Sequence, residues 1–108
     1  MNKKTISVSA DFSETPAGRY SVHGPYSGQA FREKLLYPAL KEYDLVEVDL
    51  DGTLGYGSSF LEEAFGGLIR VNGMTLDELN QKLNIKSSRH LYSERITSYL
   101  KAAEKNKR

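Results

Sequence analysis

The chain of 108 residues contains no cysteine, which excludes disulfides, thiolate metal ligands and cysteine nucleophiles together. Its only histidines, His23 and His90, stand far apart in the sequence, so neither a zinc site nor a Ser-His-Asp triad is indicated. No stretch approaches the roughly 20 apolar residues that span a bilayer, and the two lysines near the start are not followed by a signal-peptide core. An excess of charge of one sign is missing too. Fifteen basic and fourteen acidic side chains leave a formal net charge of +1, too little to imply a polyanionic partner. These absences predict a cytoplasmic protein with no cofactor, no metal, no nucleic-acid partner and no membrane partner. What remains, 39% hydrophobic residues, suffices for one core, and the length predicts a single domain over residues 1–108.

Hydrophobic spacing supplies the elements. Ile6, Val8 and Ala10 alternate with serines, and Tyr20 and Val22 alternate with Arg19, Ser21 and His23, which predicts two antiparallel strands flanking the loop 13–18. After Gly24-Pro25, Ser27 is placed to cap a helix whose apolar positions include Phe31, Leu35 and Leu36. Pro38 cannot donate to the carbonyl of Lys34, so that helix is expected to kink or end near Tyr37. Leu45 to Leu50 reads as a parallel central strand. A second helix follows from Ser59, with Phe60, Leu61, Ala64, Phe65, Leu68 and Ile69 on one face and Asn72-Gly73 as its stop. Thr75 and Glu78 form a capping box for a short helix, Leu83 to Lys86 reads as a fourth strand, and Tyr92 to Ala103 as the last helix, fraying into a basic tail over 101–108. The core is expected to contain Phe31, Leu35, Val46, Val48, Leu50, Phe60, Phe65 and Leu68.

The richest chemistry lies where the central strand empties through Gly52, Gly55 and Gly57 into the second helix, a place where small α/β proteins bind ligands or partners. The three glycines allow positive φ in the turn and close access to its backbone. Ser58 and Ser59, with Gly57 and Tyr56 beside them, are the candidate contact or modification residues. Ser59 and Glu62 also fit the Ser-x-x-Glu capping box. Arg32, between apolar positions of the first helix, suggests an ion pair whose carboxylate the sequence does not identify.

Residues 46–54, Val-Glu-Val-Asp-Leu-Asp-Gly-Thr-Leu, resemble the first motif of the haloacid dehalogenase-like phosphohydrolases. That resemblance implies a nucleophile at Asp49 and an acid-base at Asp51, both near Mg²⁺, with the carboxylates on one side of the strand. Against it, only 59 residues follow Asp49, and no later aspartate ends an apolar strand. The bland reading of the pair is a turn-forming role at a strand exit.

A second resemblance covers most of the chain. The order strand, strand, helix, strand, helix, strand, helix is similar to that of STAS domains, the fold of the anti-sigma factor antagonists. Gly28-Gln-Ala-Phe-Arg32 and the segment from Gly57 to Leu68 resemble a short bacterial STAS-like family of unknown function. The resemblance implies an α/β STAS-like fold, a mixed sheet of about four strands with helices mainly on one face. It further implies a non-catalytic, protein-binding regulatory module rather than an enzyme. In the antagonists a serine of the equivalent turn is phosphorylated by a kinase-like ATPase of the GHKL type. Counting from Asp49-Leu50-Asp51-Gly52, that serine corresponds to Ser59, with Gly57 and Phe60 in place of the family's Asp and Gly. A third possibility from the same turn is a nucleotide-binding sensor without turnover.

Overall fold

The computed structural model describes residues 2–107. Three strands, β1 (Lys3–Ser7), β2 (Leu45–Asp49) and β3 (Leu83–Lys86), form one sheet in the order β1-β2-β3 with both pairings parallel. The registers Ile6↔Val48 and Val48↔Ile85 align an apolar row across it. Parallel neighbours need a crossover, and helices supply each one. Helix α1 (residues 28–42) joins β1 to β2, α2 (residues 58–70) and α3 (Leu76–Lys82) join β2 to β3, and α4 (His90–Lys105) follows β3. Both α1 and α2 contain a wide π turn, at Arg32–Leu36 and Glu62–Gly66.

Burial alternates along β2, with Val46 and Val48 fully buried and Leu45, Glu47 and Asp49 only partly so. One face therefore carries the core, where Ile6, Val8, Phe31, Leu36, Phe60, Phe65, Leu68, Leu79 and Ile96 pack together. The other face carries Thr5, Glu47 and Asn84 in register, then Ser7, Asp49 and Lys86. There Asn84 Nδ2 donates to Glu47 at 2.9 Å, and Lys3 and Lys86 approach Glu47 and Asp49 at 3.9 Å. Of the eight expected core residues seven are buried, and Leu35 is partly buried against the same cluster.

The amino-terminal expectation is corrected. There is no antiparallel pair among the described residues and no strand at Tyr20 to His23: Ser21–His23 is a 3-10 turn, with Val22 86% exposed. Tyr20 N donates to His23 Nδ1, and Ser21 N to Gln29 Oε1, so local side chains take the donors that a ladder would have used. β1 stops at Ser7 because Ala10 N donates to Ser7 Oγ and Ser7 N to Asp11 Oδ2, which winds Val8–Phe12 into a wide turn. The sheet thus has three strands, all parallel, in place of about four in a mixed sheet.

Pro38 does not end α1. The wide turn immediately before it, with Tyr37 N donating to Arg32 O, absorbs the missing donor and relieves the clash with the Lys34 carbonyl. α4 likewise runs past Lys101 to Lys105, because Leu100 is buried and Glu104 accepts from Leu76 N at 2.7 Å. The last residue of the expected tail, Arg108, lies outside the described residues. No helix among the described residues is long and apolar enough to cross a membrane.

Candidate functional site

In a parallel sheet every strand delivers the chain to the same end, so the loops after β1, β2 and β3 gather there together with the starts of α1, α2 and α4. The turn after β2 is built by its own polar groups. Asp49 Oδ1 accepts from Asp51 N at 2.9 Å, and Asp51 Oδ1 accepts from both N and Oγ of Ser88 at 2.9 Å, tying this turn to the one after β3. The Ser88 hydrogen bonds hold the Asp51 carboxyl below the usual carboxylate range. Gly52 and Gly55 take φ of 96° and 139°, conformations that L side chains rarely adopt. Gly57, with φ of −78°, does not share them.

Ser58 and Ser59 are both exposed at the first two positions of α2. The expected cap is corrected: Gly57 is the N-cap residue, and no side chain caps this helix. Glu62 is drawn away from the Ser-x-x-Glu arrangement by two arginines, Arg70 at 2.6 Å and Arg19 at 2.5 Å. Two charge-assisted contacts outweigh the one backbone bond that a capping box offers. Tyr56 is corrected as well. It is buried, its hydroxyl donates to Leu50 O at 2.8 Å, and its ring meets Tyr92 edge-on at 5.1 Å, so it supports the turn from beneath rather than presenting a surface. Burial pushes its phenol up to about 12.

Asp49 and Asp51 do not act as a strand pair, because β2 ends at Asp49 and Asp51 belongs to the turn. Beside them a cleft of about 150 Å³ is lined by Asp51, Thr53, Gly55, Ser88, Arg89 and Tyr92. A larger groove of about 490 Å³ lies between the second half of α2 and the end of α4, and of the candidate residues only Glu62 reaches it. No group of three or more His, Asp or Glu side chains suited to a metal ion occurs among the described residues.

The ion pair expected of Arg32 is present and its carboxylate is Glu63, but sequence reasoning missed the rest of the charge cluster around it. Arg32, 2% exposed, donates to Glu63 Oε2 at 2.6 Å and to Glu63 O at 2.7 Å. Its guanidinium lies over Gly67, where a Cβ would occupy the same space. Glu63 also takes Arg70 at 2.9 Å and Arg19 at 3.4 Å. Burial pushes Glu62 up, but the hydrogen bonds from Arg70 and Arg19 prevail and hold its carboxyl below the usual range. The signal lay in the sequence as Glu62-Glu63 next to Gly66-Gly67, but only the fold brings Arg19 and Arg32 to them.

A small sheet of three parallel strands covered on one face by helices, with a glycine-rich turn leading into a helix that begins on two exposed serines, is a STAS-like α/β fold. The chain belongs to the STAS-like domains of unknown function (DUF4325), whose family model matches residues 27–89. That span begins at the Ser27 cap and ends at Arg89, so it contains the serine corner and the turn that grips Asp51. Among curated proteins and among solved structures, none matches the chain.

Proposed function

We propose that this domain is a non-catalytic, protein-binding regulatory module whose contact surface is the sheet end around Ser58 and Ser59. One observation carries the reading. Of the six large hydrophobic side chains exposed among the described residues, Tyr20, Val22, Tyr26, Leu54 and Leu91 all lie on the loops and helix starts that follow the strands, and Val71 alone lies elsewhere. Leu54, 86% exposed, projects from the same turn that delivers the serines, and exposed apolar groups collected on one functional edge mark a protein contact.

The partner is a kinase-like ATPase of the GHKL type, by analogy with the antagonists that share the fold. Its ATP supplies the group transferred: Ser59 Oγ bonds to the γ-phosphorus, the bond from that phosphorus to the ADP oxygen breaks, and the hydroxyl proton passes to a base of the kinase. An exposed hydroxyl that caps nothing is free to react, and a phosphate in the first turn of a helix is favoured by the dipole. The phosphohydrolase alternative needs Asp49 and Asp51 available, whereas both accept hydrogen bonds that hold the turn.

The test combines the purified protein with a GHKL-type ATPase that binds it and with ATP labelled at the γ-phosphate. Label is expected on Ser59, lost in Ser59→Ala, with Ser59→Asp and Leu54→Asp weakening the complex while leaving the melting temperature unchanged. Binding unaffected by Ser59→Asp and by Leu54→Asp would remove the corner from the contact surface. Magnesium-dependent release of phosphate from a generic phosphomonoester, abolished by Asp49→Asn, would replace the module with an enzyme.

A further inference from the structure

The cluster behind the corner holds three arginines against two glutamates, and the three are not equivalent. Glu63, 4% exposed, has Arg32 at 2.6 Å and Arg70 at 2.9 Å, and Glu62 has Arg70 at 2.6 Å. Arg19 adds a further contact to each, at 2.5 and 3.4 Å, with 29% of its side chain exposed. If Arg19 leaves, both carboxylates keep a guanidinium, so no buried charge is left unpaired. Arg32 has no such freedom, buried over Gly67.

Glu62 and Glu63 lie three and four residues after Ser59, the spacing that puts side chains next to each other on one helix face. The carboxylates reach on towards Gly66 and Gly67, so the Arg19 guanidinium now sits about two turns beyond Ser59, while its backbone is held at the start of α1, where Gly28 packs against Phe60 O beside Ser59. Arg70 is eleven residues from Ser59, about 16 Å along the axis, beyond the reach of its side chain. The backbone of Arg19 belongs to the surface segment at the start of α1, where Arg19 O accepts from Gln29 N at 3.0 Å and the exposed Tyr20 and Val22 follow.

We propose that Arg19 is the residue that reads charge at this corner: a phosphate on Ser59 draws the Arg19 guanidinium off Glu62 and Glu63 and carries residues 19–23, with Tyr20 and Val22, to a new position on the contact surface. This rests on the reading of Ser59 as a phosphorylation site. A phosphoserine carries close to two negative charges and three acceptor oxygens. It offers Arg19 a forked partner of its own in place of carboxylates already shared with Arg70. The move also relieves repulsion between the phosphate and Glu62.

The experiment installs phosphoserine at position 59 of the whole chain by genetic encoding, so that no kinase is required, and compares it with the unmodified chain. The Arg19 Nε–Hε resonance is expected to shift while that of Arg32 stays, and amide exchange over residues 19–23 to change. By ³¹P NMR the second pKa of the phosphoserine is expected to lie lower than in the same chain carrying Arg19→Gln, with Arg19→Lys recovering part of the difference. An unmoved Arg19 resonance, or a phosphoserine pKa indifferent to Arg19→Gln, overturns the inference and leaves the phosphorylation reading standing. Failure of kinases to modify Ser59 sinks that reading, while the response to the installed phosphate still decides the role of Arg19.

Discussion

Helices α1 and α2 pack side by side on the same sheet face, and each enters a wide turn at its fifth residue, yet they begin in opposite ways. At the start of α1, Ser27 is fully buried and its Oγ accepts from Ala30 N at 3.1 Å. The next residue, Gly28, lies so close to α2 that a Cβ would stand 2.4 Å from Phe60 O. At the start of α2, Gly57, Ser58 and Ser59 are all exposed, no side chain caps the helix, and a Cβ on Gly57 would meet nothing within 4 Å. A serine at one helix start is structural and at the other is left free. The first is enclosed by the packing of two helices, and the second faces outward from a turn that Tyr56 and Asp51 secure from below.

The comparison breaks at its base if the helices do not share a core. Phe65, fully buried on α2 and 6.4 Å from the Phe31 ring of α1, tests this: Phe65→Ala is expected to cost about 3 to 5 kcal/mol in chemical denaturation. An unchanged midpoint would mean that the helices are arranged otherwise. The glycines come next. Gly28→Ala is expected to cost about 1 to 3 kcal/mol, because its methyl group meets backbone, whereas Gly57→Ala, in open space, loses well under that amount. Equal losses would erase the distinction between a packed start and a free one.

Alkaline pH probes the support beneath the free start. The Tyr56 phenol is held at about 12 in the folded chain against 10.0 in the unfolded one. Between those values the unfolded chain gives up its proton first, so stability is full below about pH 10 and falls as pH rises towards about 12. Urea titrations at about pH 9 and about pH 11 should show the fall, and Tyr56→Phe should flatten it while losing about 1 kcal/mol for the bond to Leu50 O.

The caps give a smaller effect. Ser27→Ala is expected to lower stability by about 1 kcal/mol, while Ser59→Ala, which removes no cap, leaves the melting temperature in place. The smallest effect runs the other way: Gly57→Asp places a capping carboxylate where there is none and should raise stability by a few tenths of a kcal/mol.

Features written in adjacent residues were legible before the fold. The Ser27 cap, the Thr75–Glu78 box, the stop at Asn72-Gly73 and the strand at Leu45 each depend on neighbours a few positions apart, and the structure contains them all. Local rules failed where distant groups competed. Ser59 and Glu62 match a capping box in sequence, but Arg19 and Arg70 reach Glu62 across 43 and 8 residues and take it. The alternation at Ile6 does mark a strand, but a period of two does not say that its partner is parallel and lies at Leu45, and the similar spacing at Tyr20 and Val22 belongs to a 3-10 turn whose donors go to His23 and Gln29. Of the candidate residues, the glycines do form the turn after β2 and the serines do open α2, as their order along the chain implied. The burial of Tyr56 and the assembly of the arginine cluster came only with tertiary packing.

The sheet has two outer strands, and among the described residues each leaves a row of backbone donors and acceptors with no strand beside it. Such rows are templates on which another polypeptide can lengthen the sheet into an aggregate. Lys3 and Lys4 stand exposed along one rim and Lys86 along the other, and seating a foreign strand there would require stripping water from an ammonium group at each step. The chain thus carries its own guard against fibril growth in the exposed lysines of β1 and β3.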